Sequence, residues 1–198
     1  MAYLQQNDIE LYAEQVSKNG NPFCGDSYYY TSTSDYFICV LADGLGSGKF
    51  AYESSHVVVE IVEEHHHEDV DTLMSLCNEA LQRKRGAAVA IIKAYYHSKE
   101  FVYSCVGNIR FYMYAPEGKM TYPLPVTGYL SGRPQKYKTQ RFHYNPNSRF
   151  LIHSDGLNIS GVKNILQRYP TLHGALGDIQ SLVDGTSDDT TYIIGNLL

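Results

Sequence analysis

The chemical content of this 198-residue chain is concentrated in five aspartates: Asp26, Asp43, Asp155 and the pair Asp188-Asp189. Asp43 ends the apolar run Tyr36-Phe37-Ile38-Cys39-Val40-Leu41-Ala42, and Asp155 ends a second run, Arg149-Phe150-Leu151-Ile152-His153-Ser154. Asp26 stands where a glycine-marked loop turns into the aromatic stretch Tyr28-Tyr29-Tyr30, and Asp188-Asp189 precede the apolar stretch 191–194. A carboxylate at a strand mouth is held by stiff backbone while it faces solvent or ligand, a placement that suits a metal or phosphate site. Taken alone, Asp-Gly is an ordinary turn dipeptide. Here the two occurrences match: Val40-Leu41-Ala42-Asp43-Gly44-Leu45 and Ile152-His153-Ser154-Asp155-Gly156-Leu157 both read apolar strand, small residue, Asp, Gly, Leu.

The segment Asp43-Gly44-Leu45-Gly46-Ser47-Gly48-Lys49 is not a phosphate-cradling P-loop, which needs Gly at Asp43 and Ser or Thr at Phe50. Nor is it a dinucleotide loop, since Gly48 falls one position early. An anionic Asp43 repels phosphate unless a cation stands between them. Hard divalent ions such as Mg²⁺ and Mn²⁺ take carboxylate and water oxygens, and converging Asp side chains would neutralise two of them. A pair of such ions acidifies a water and shares the charge of a phosphoryl group under attack, so metal-assisted phosphoester hydrolysis is predicted. The nucleophile is then a metal-activated water, for neither a Ser/His/Asp constellation nor a Cys-centred phosphate loop is visible.

Several other features read as structure. His65-His66-His67 point in different directions on a helix and predict a solvated helix end rather than a ligand set. Arg133, Lys136, Lys138 and Arg141 form a basic stretch on an acidic protein, either a solvated surface or a dock for an acidic or phosphorylated partner. The tyrosines read as amphipathic strand packing.

The elements that must position the aspartates follow from periodicity. Strands are predicted just after Asp26, over 36–42, 87–96, 100–106, 109–115, 138–143, 149–154 and 191–194. Helices are predicted over 50–64, 69–85 and 161–169. The strands from Ala87 to His143 read as one antiparallel meander. Strands in blocks beside helices in blocks give an α+β layered domain, and the length suits a single one spanning residues 1–198.

The formal net charge of −5 disfavours nucleic acid and anionic lipid as partners. No run is long and apolar enough to span a bilayer. The stretch Met1 to Asp8 lacks the basic start and apolar run of a signal peptide, and Cys24, Cys39, Cys77 and Cys105 have no zinc-like spacing. A cytoplasmic protein with reduced thiols is expected.

Cys24-Gly25-Asp26-Ser27, the segment 42–48, Val106-Gly107-Asn108-Ile109-Arg110, Ser154-Asp155-Gly156 and Asp188-Asp189-Thr190-Thr191 fall in the order of the motifs of PP2C-type (PPM) serine/threonine phosphatases. The chain resembles that family over nearly its whole length, and within it the compact bacterial SpoIIE-like branch. The stretches 123–139 and Lys84-Arg85-Gly86-Ala87 are similar to a stressosome phosphatase of that branch. The resemblance implies a four-layer αββα sandwich of two antiparallel sheets flanked by helices, with a dinuclear Mn²⁺ or Mg²⁺ site at one end. It implies removal of phosphate from Ser and Thr of STAS-domain stressosome proteins, and hence negative regulation of sigma-B signalling.

By the same resemblance Asp43 bridges both metals, the Gly44 carbonyl binds one ion, and Asp155 and Asp188 are the later ligands. Asp43 and Asp155 position the attacking water, and Asp26 acts as ligand or through a bound water. Asp189 stands where many members have Asn and could orient a water. Asn108 stands where several relatives carry Asp for a third, weaker metal, which counts against a third ion. No counterpart is found of the N-terminal Arg that grips phosphate in the eukaryotic branch. Two other readings stay open: a non-catalytic phosphatase-like adaptor in a signalling assembly, and a calcium-binding module.

Overall fold

The computed structural model describes residues 1–6, 8–183 and 187–198. In chain order the elements are β1 (Ala2–Gln6), β2 (Ile9–Val16), β3 (Asp26–Ser32), β4 (Tyr36–Gly44), α1 (Lys49–His65), α2 (Val70–Ala80), β5 (Ala87–Tyr95) and β6 (Glu100–Val106). They continue with β7 (Arg110–Tyr114), β8 (Met120–Thr121), β9 (Gln140–His143), β10 (Ser148–His153), α3 (Val162–Arg168), α4 (Leu172–Gln180) and β11 (Thr190–Leu197).

The strands form two antiparallel sheets, one ordered β1-β2-β11-β10-β7-β8 and the other β3-β4-β5-β6-β9. Between them lies a core that includes Leu11, Phe37, Leu41, Phe101, Phe111, Phe150 and Ile193, with the Phe37 and Phe150 rings 5.6 Å apart. A second cluster joins the five-stranded sheet to α1 and α2 through Val40, Val58, Val62, Leu73 and Met74. A third joins the six-stranded sheet to α3 and α4 through Leu151, Leu166, Leu176 and Ile194. The result is the αββα sandwich that the motifs imply.

Local chemistry accounts for the elements that carry the site. Strand β4 is buried on both faces, hence its unbroken apolar run. Helix α1 buries Ala51, Ser54, Ser55, Val58, Val59 and Val62 at helical spacing against β4 and β3. Helix α2 is capped by Asp69, whose side chain accepts from the Thr72 amide at 2.8 Å.

Buried Lys93 closes the other end of α1: its Nζ donates to the carbonyls of His66, His67 and Glu68 at 2.8, 3.1 and 2.7 Å. It also lies 4.0 Å from the Tyr36 ring centroid. The histidine triplet is therefore a helix end whose carbonyls receive a buried cation, with His66 Nδ1 bonded to Tyr36 Oη at 2.8 Å.

The structure corrects four expectations. The strands from Ala87 to His143 are not one meander: β5, β6 and β9 stay in one sheet, while β7 and β8 belong to the other. Helix α2 stops at Ala80 rather than Arg85, because the chain turns through Arg83 at φ 65°. The strand expected from Lys138 begins at Gln140, since Thr139 is drawn to Asp71 at 2.6 Å and Tyr137 to Ser75. Strands β1, β2 and β8 and helix α4 are additional elements. All four cysteines are free and buried. Among the described residues no helix is long and apolar enough to cross a membrane.

Candidate metal centre

The antiparallel register of β3 and β4 sets Asp26 directly opposite Asp43. Directly opposed residues share a face of the sheet, and like charges there repel. Asp155 lies two residues past the end of β10, and Asp188 and Asp189 precede the first residue of β11. All five aspartates thus reach one end of the sandwich, two from the five-stranded sheet and three from the six-stranded one. Exposure grades outward: Asp26 is 2% exposed, Asp43 half-buried, Asp155 and Asp188 open.

Both Asp-Gly pairs serve close approach rather than a hairpin. A Cβ on Gly44 would lie 1.9 Å from the Ala51 carbonyl oxygen, so only glycine lets the first turn of α1 rest on the end of β4. A Cβ on Gly156 would lie 2.1 Å from the Asp189 carbonyl oxygen, so glycine likewise lets the Asp188-Asp189 segment close on the Asp155 turn.

Three residues that sequence reasoning did not assign a role here hold the acids in place. Ser154 Oγ donates to Asp26 Oδ2 at 2.7 Å, and the Thr191 amide donates to the same hydroxyl at 2.9 Å, which fixes its direction. Gln15 Nε2 donates to the Asp26 carbonyl at 2.9 Å. Asn108, considered only as the place of a third ligand, donates its Nδ2 to Asp155 Oδ2 at 2.6 Å. Ser154 had one available signal, its position as the small residue before the second Asp-Gly. Asp189 accepts from the Lys18 amide at 2.8 Å and the Gly25 amide at 2.7 Å, tying both segments to the start of β11.

The electrostatics are those of a site short of positive charge. Burial, then the Asp43 charge, pushes the Asp26 carboxyl well above its ordinary range. Burial, then Asp155, Asp188 and Asp189, pushes Asp43 up to about 7. Burial and Asp188 also raise Asp155, while the Arg110 charge and the Asn108 hydrogen bond hold it down. Among the described residues no Lys, Arg or His side-chain nitrogen lies within 4.0 Å of these carboxylates.

Among the described residues no three His, Cys, Asp or Glu side chains stand close enough to hold one ion directly. The expected convergence of carboxylates is therefore a shared end and a shared field, not ligand contact. That suits Mg²⁺-like ions, which keep several waters and use one or two carboxylates each. The donor set is hard oxygen, anionic and without a counter-cation, and it fits divalent ions of this kind. Asp43 also lines a shallow cleft of about 340 Å³ with Leu45, Ala88, Gly107, Asn108, Thr127 and Gly128.

Comparison with known proteins places the chain in a family. The model of the family "Stage II sporulation protein E (SpoIIE)" matches residues 33–168. The chain is 39% identical to "Phosphoserine phosphatase RsbX" of Bacillus subtilis (strain 168), over the full length of both. The structure of RsbX in complex with magnesium is similar at a TM-score of 0.96 and 38% identity, covering 100% of this chain and 99% of that one. The fold alone is shared with a chain described under "The bacterial stressosome: a modular system that has been adapted to control secondary messenger signaling", at a TM-score of 0.83 and 22% identity, covering 96% and 100%. From the aspartates at one end of an αββα sandwich, the family match and the full-length relative, the chain belongs to the SpoIIE family of PP2C-type serine/threonine phosphatases.

Proposed function

We propose that this phosphatase removes phosphate from serine and threonine of STAS-domain stressosome proteins in the cytoplasm, resetting sigma-B stress signalling. The observation that carries the hydrolytic part is the Asp26–Asp43 pair, opposed across β3 and β4 beside Asp155 and Asp188, with Asp43 pushed up to about 7 by burial and then by the neighbouring carboxylates. The stressosome assignment is supported by the 39% identity to RsbX and by the likeness of segments 84–87 and 123–139 to that branch.

In this reading Asp43 and the Gly44 carbonyl, with Asp155, Asp188 and Asp26, hold two ions. A bound pair of Mg²⁺ or Mn²⁺ ions supplies an acidified water as nucleophile and shares the charge of the phosphoryl group under attack. Ser154 keeps Asp26 aimed from behind, Asn108 orients Asp155, and Asp189 anchors the Asp188 segment through the Lys18 and Gly25 amides. The half-buried setting of Asp43 strengthens its field on whatever cation it holds.

The test is phosphate release from an aryl phosphate and from a phosphorylated STAS-domain protein, with Mg²⁺, with Mn²⁺ and with chelator, beside Asp43→Asn. Turnover of both substrates that needs metal and Asp43 is expected. Turnover in chelator, or a wild-type rate in the variant, overturns the site. Turnover of the aryl phosphate but not of the STAS phosphoprotein overturns the substrate.

A further inference from the structure

Beside the acidic end, the structure holds a cleft of about 570 Å³ with the opposite charge, lined by Phe50, Glu53, Gln82, Arg83, Lys84 and Arg85. It runs between the first turns of α1 and the turn that leaves α2. Its three cations face one carboxylate, and that carboxylate is already shared: Glu53 lies 3.8 Å from both Lys49 and Lys84. Among the described residues no carboxylate lies within 4.0 Å of Arg83 or Arg85.

Arg85 is held as a recognition group rather than as a loose surface charge. Its guanidinium carbon sits 4.9 Å from the ring centroid of Phe50, itself 59% exposed. Its Nη1 lies against Gly46, only 2.6 Å from where a Cβ would stand there. Gly46 is three residues past Asp43, and the Leu45 amide donates to the Gly86 carbonyl at 2.9 Å. Exposed Tyr129 packs beside Gly86. The cationic cleft is thereby fastened to the loop that carries the metal end.

We infer that this cleft is the docking subsite for the polypeptide flanking the phosphoserine or phosphothreonine, and that Arg85, stacked on Phe50, selects an acidic side chain there. The inference rests on the phosphatase reading above. The space is of the size of an organic ligand site, larger than a phosphate ion needs, and it opens beside the carboxylates rather than over them. A free, planar guanidinium on an aromatic face is a fork for a carboxylate. On a chain of net charge −5, such a patch offers an acidic segment a local attraction that the overall charge does not.

The test compares two phosphopeptides that differ in one flanking residue, Glu against Gln, plus a third with Lys, on full-length wild type, Arg85→Ala and Arg85→Glu with saturating Mg²⁺. The wild type should favour the Glu peptide over the Gln peptide roughly tenfold in kcat/KM, mostly through KM. In Arg85→Ala that ratio should fall toward one, and in Arg85→Glu the Lys peptide should become the preferred substrate. Ratios cancel any general loss of fold or of metal. Equal use of Glu and Gln peptides by the wild type, or an unchanged ratio in Arg85→Ala, overturns the proposal. Should no peptide be hydrolysed, fluorescence anisotropy of the same labelled peptides decides it: Glu-peptide preference in binding that Arg85→Ala abolishes sustains the subsite while the catalytic reading fails.

Discussion

Two buried charges of opposite sign share this fold, Lys93 at one end of α1 and Asp26 near the other, each only 2% exposed. Lys93 meets three backbone carbonyls and an aromatic face, so every donor it brings is used by the protein itself. Asp26 receives the Ser154 hydroxyl and is then set directly against a second carboxylate. The same burial is self-satisfied in one case and left short of a partner in the other. A charge completed by its own chain is architecture, whereas one placed against its like is left without a counter-charge.

That contrast can be broken at several points. The largest effect is expected at Asp43→Asn, which should lower kcat for an aryl phosphate at least about a thousandfold in Mg²⁺. In chelator the same variant should melt above the wild type by differential scanning fluorimetry, because one of the opposed charges is gone. Next comes Lys93→Ala, which strands three carbonyls at the end of α1 and should cost about 2–4 kcal/mol in urea unfolding. A cost near zero would remove Lys93 from the comparison.

Smaller, and opposite in sign to the lysine, is Asp26→Asn in chelator. Relief of the repulsion with Asp43 should stabilise by about 1 kcal/mol, or about 3 °C. The stabilisation that Mg²⁺ gives the wild type by mass action should shrink in the same variant.

The smallest effect is a pH trend. Asp43, pushed up to about 7 from the ordinary carboxylate range, keeps in the fold a proton that the unfolded chain has shed. Its contribution is present at low pH and lost as pH rises through about 7. Buried His153, pushed down to about 4, acts in reverse: its contribution is present above about 6.5 and lost as pH falls toward 4. Between pH 6.5 and 8 the unfolded histidine sheds the rest of its proton and offsets part of the aspartate loss, so chelated protein should lose about 1 °C over that interval, and saturating Mg²⁺ should abolish the loss. A melting temperature flat across that interval in chelator would show that the carboxylates do not oppose one another.

Much of the fold and the site was legible because the informative patterns are local. The apolar runs ending in Asp43 and Asp155, and the helical spacing from Ala51 to Val62, carry their own periodicity. Strand β2 had a signal too, since Ile9, Leu11 and Ala13 alternate with outward residues, but its pairing with β11 lies at the far end of the chain. Helix α4 contains Gly174 and Gly177, which lower helix propensity, and it stands through the Thr171 cap and packing under Leu151 and Ile194. The division of strands between sheets was hidden because every strand of both sheets sends alternate residues to a core. Ser154 reaches Asp26 across 128 residues, and no spacing rule encodes such a contact. Lys93 was visible as a lone cation in an apolar run, yet the carbonyls that justify it become neighbours only when α1 ends above β5.

The bond from Ser154 to Asp26 joins one sheet to the other, as does that from Gln15, so the acidic end is also a seam. Asp26 and Asp43 ride on one plate of the sandwich, Asp155 and Asp188 on the other. A slide of one plate over its neighbour is then a change in the gap between the acids. The Phe37–Phe150 contact lies in the apolar layer between the two plates. Altering the thickness of this greasy layer would tune the reaction from afar, with every charged residue of the seam untouched.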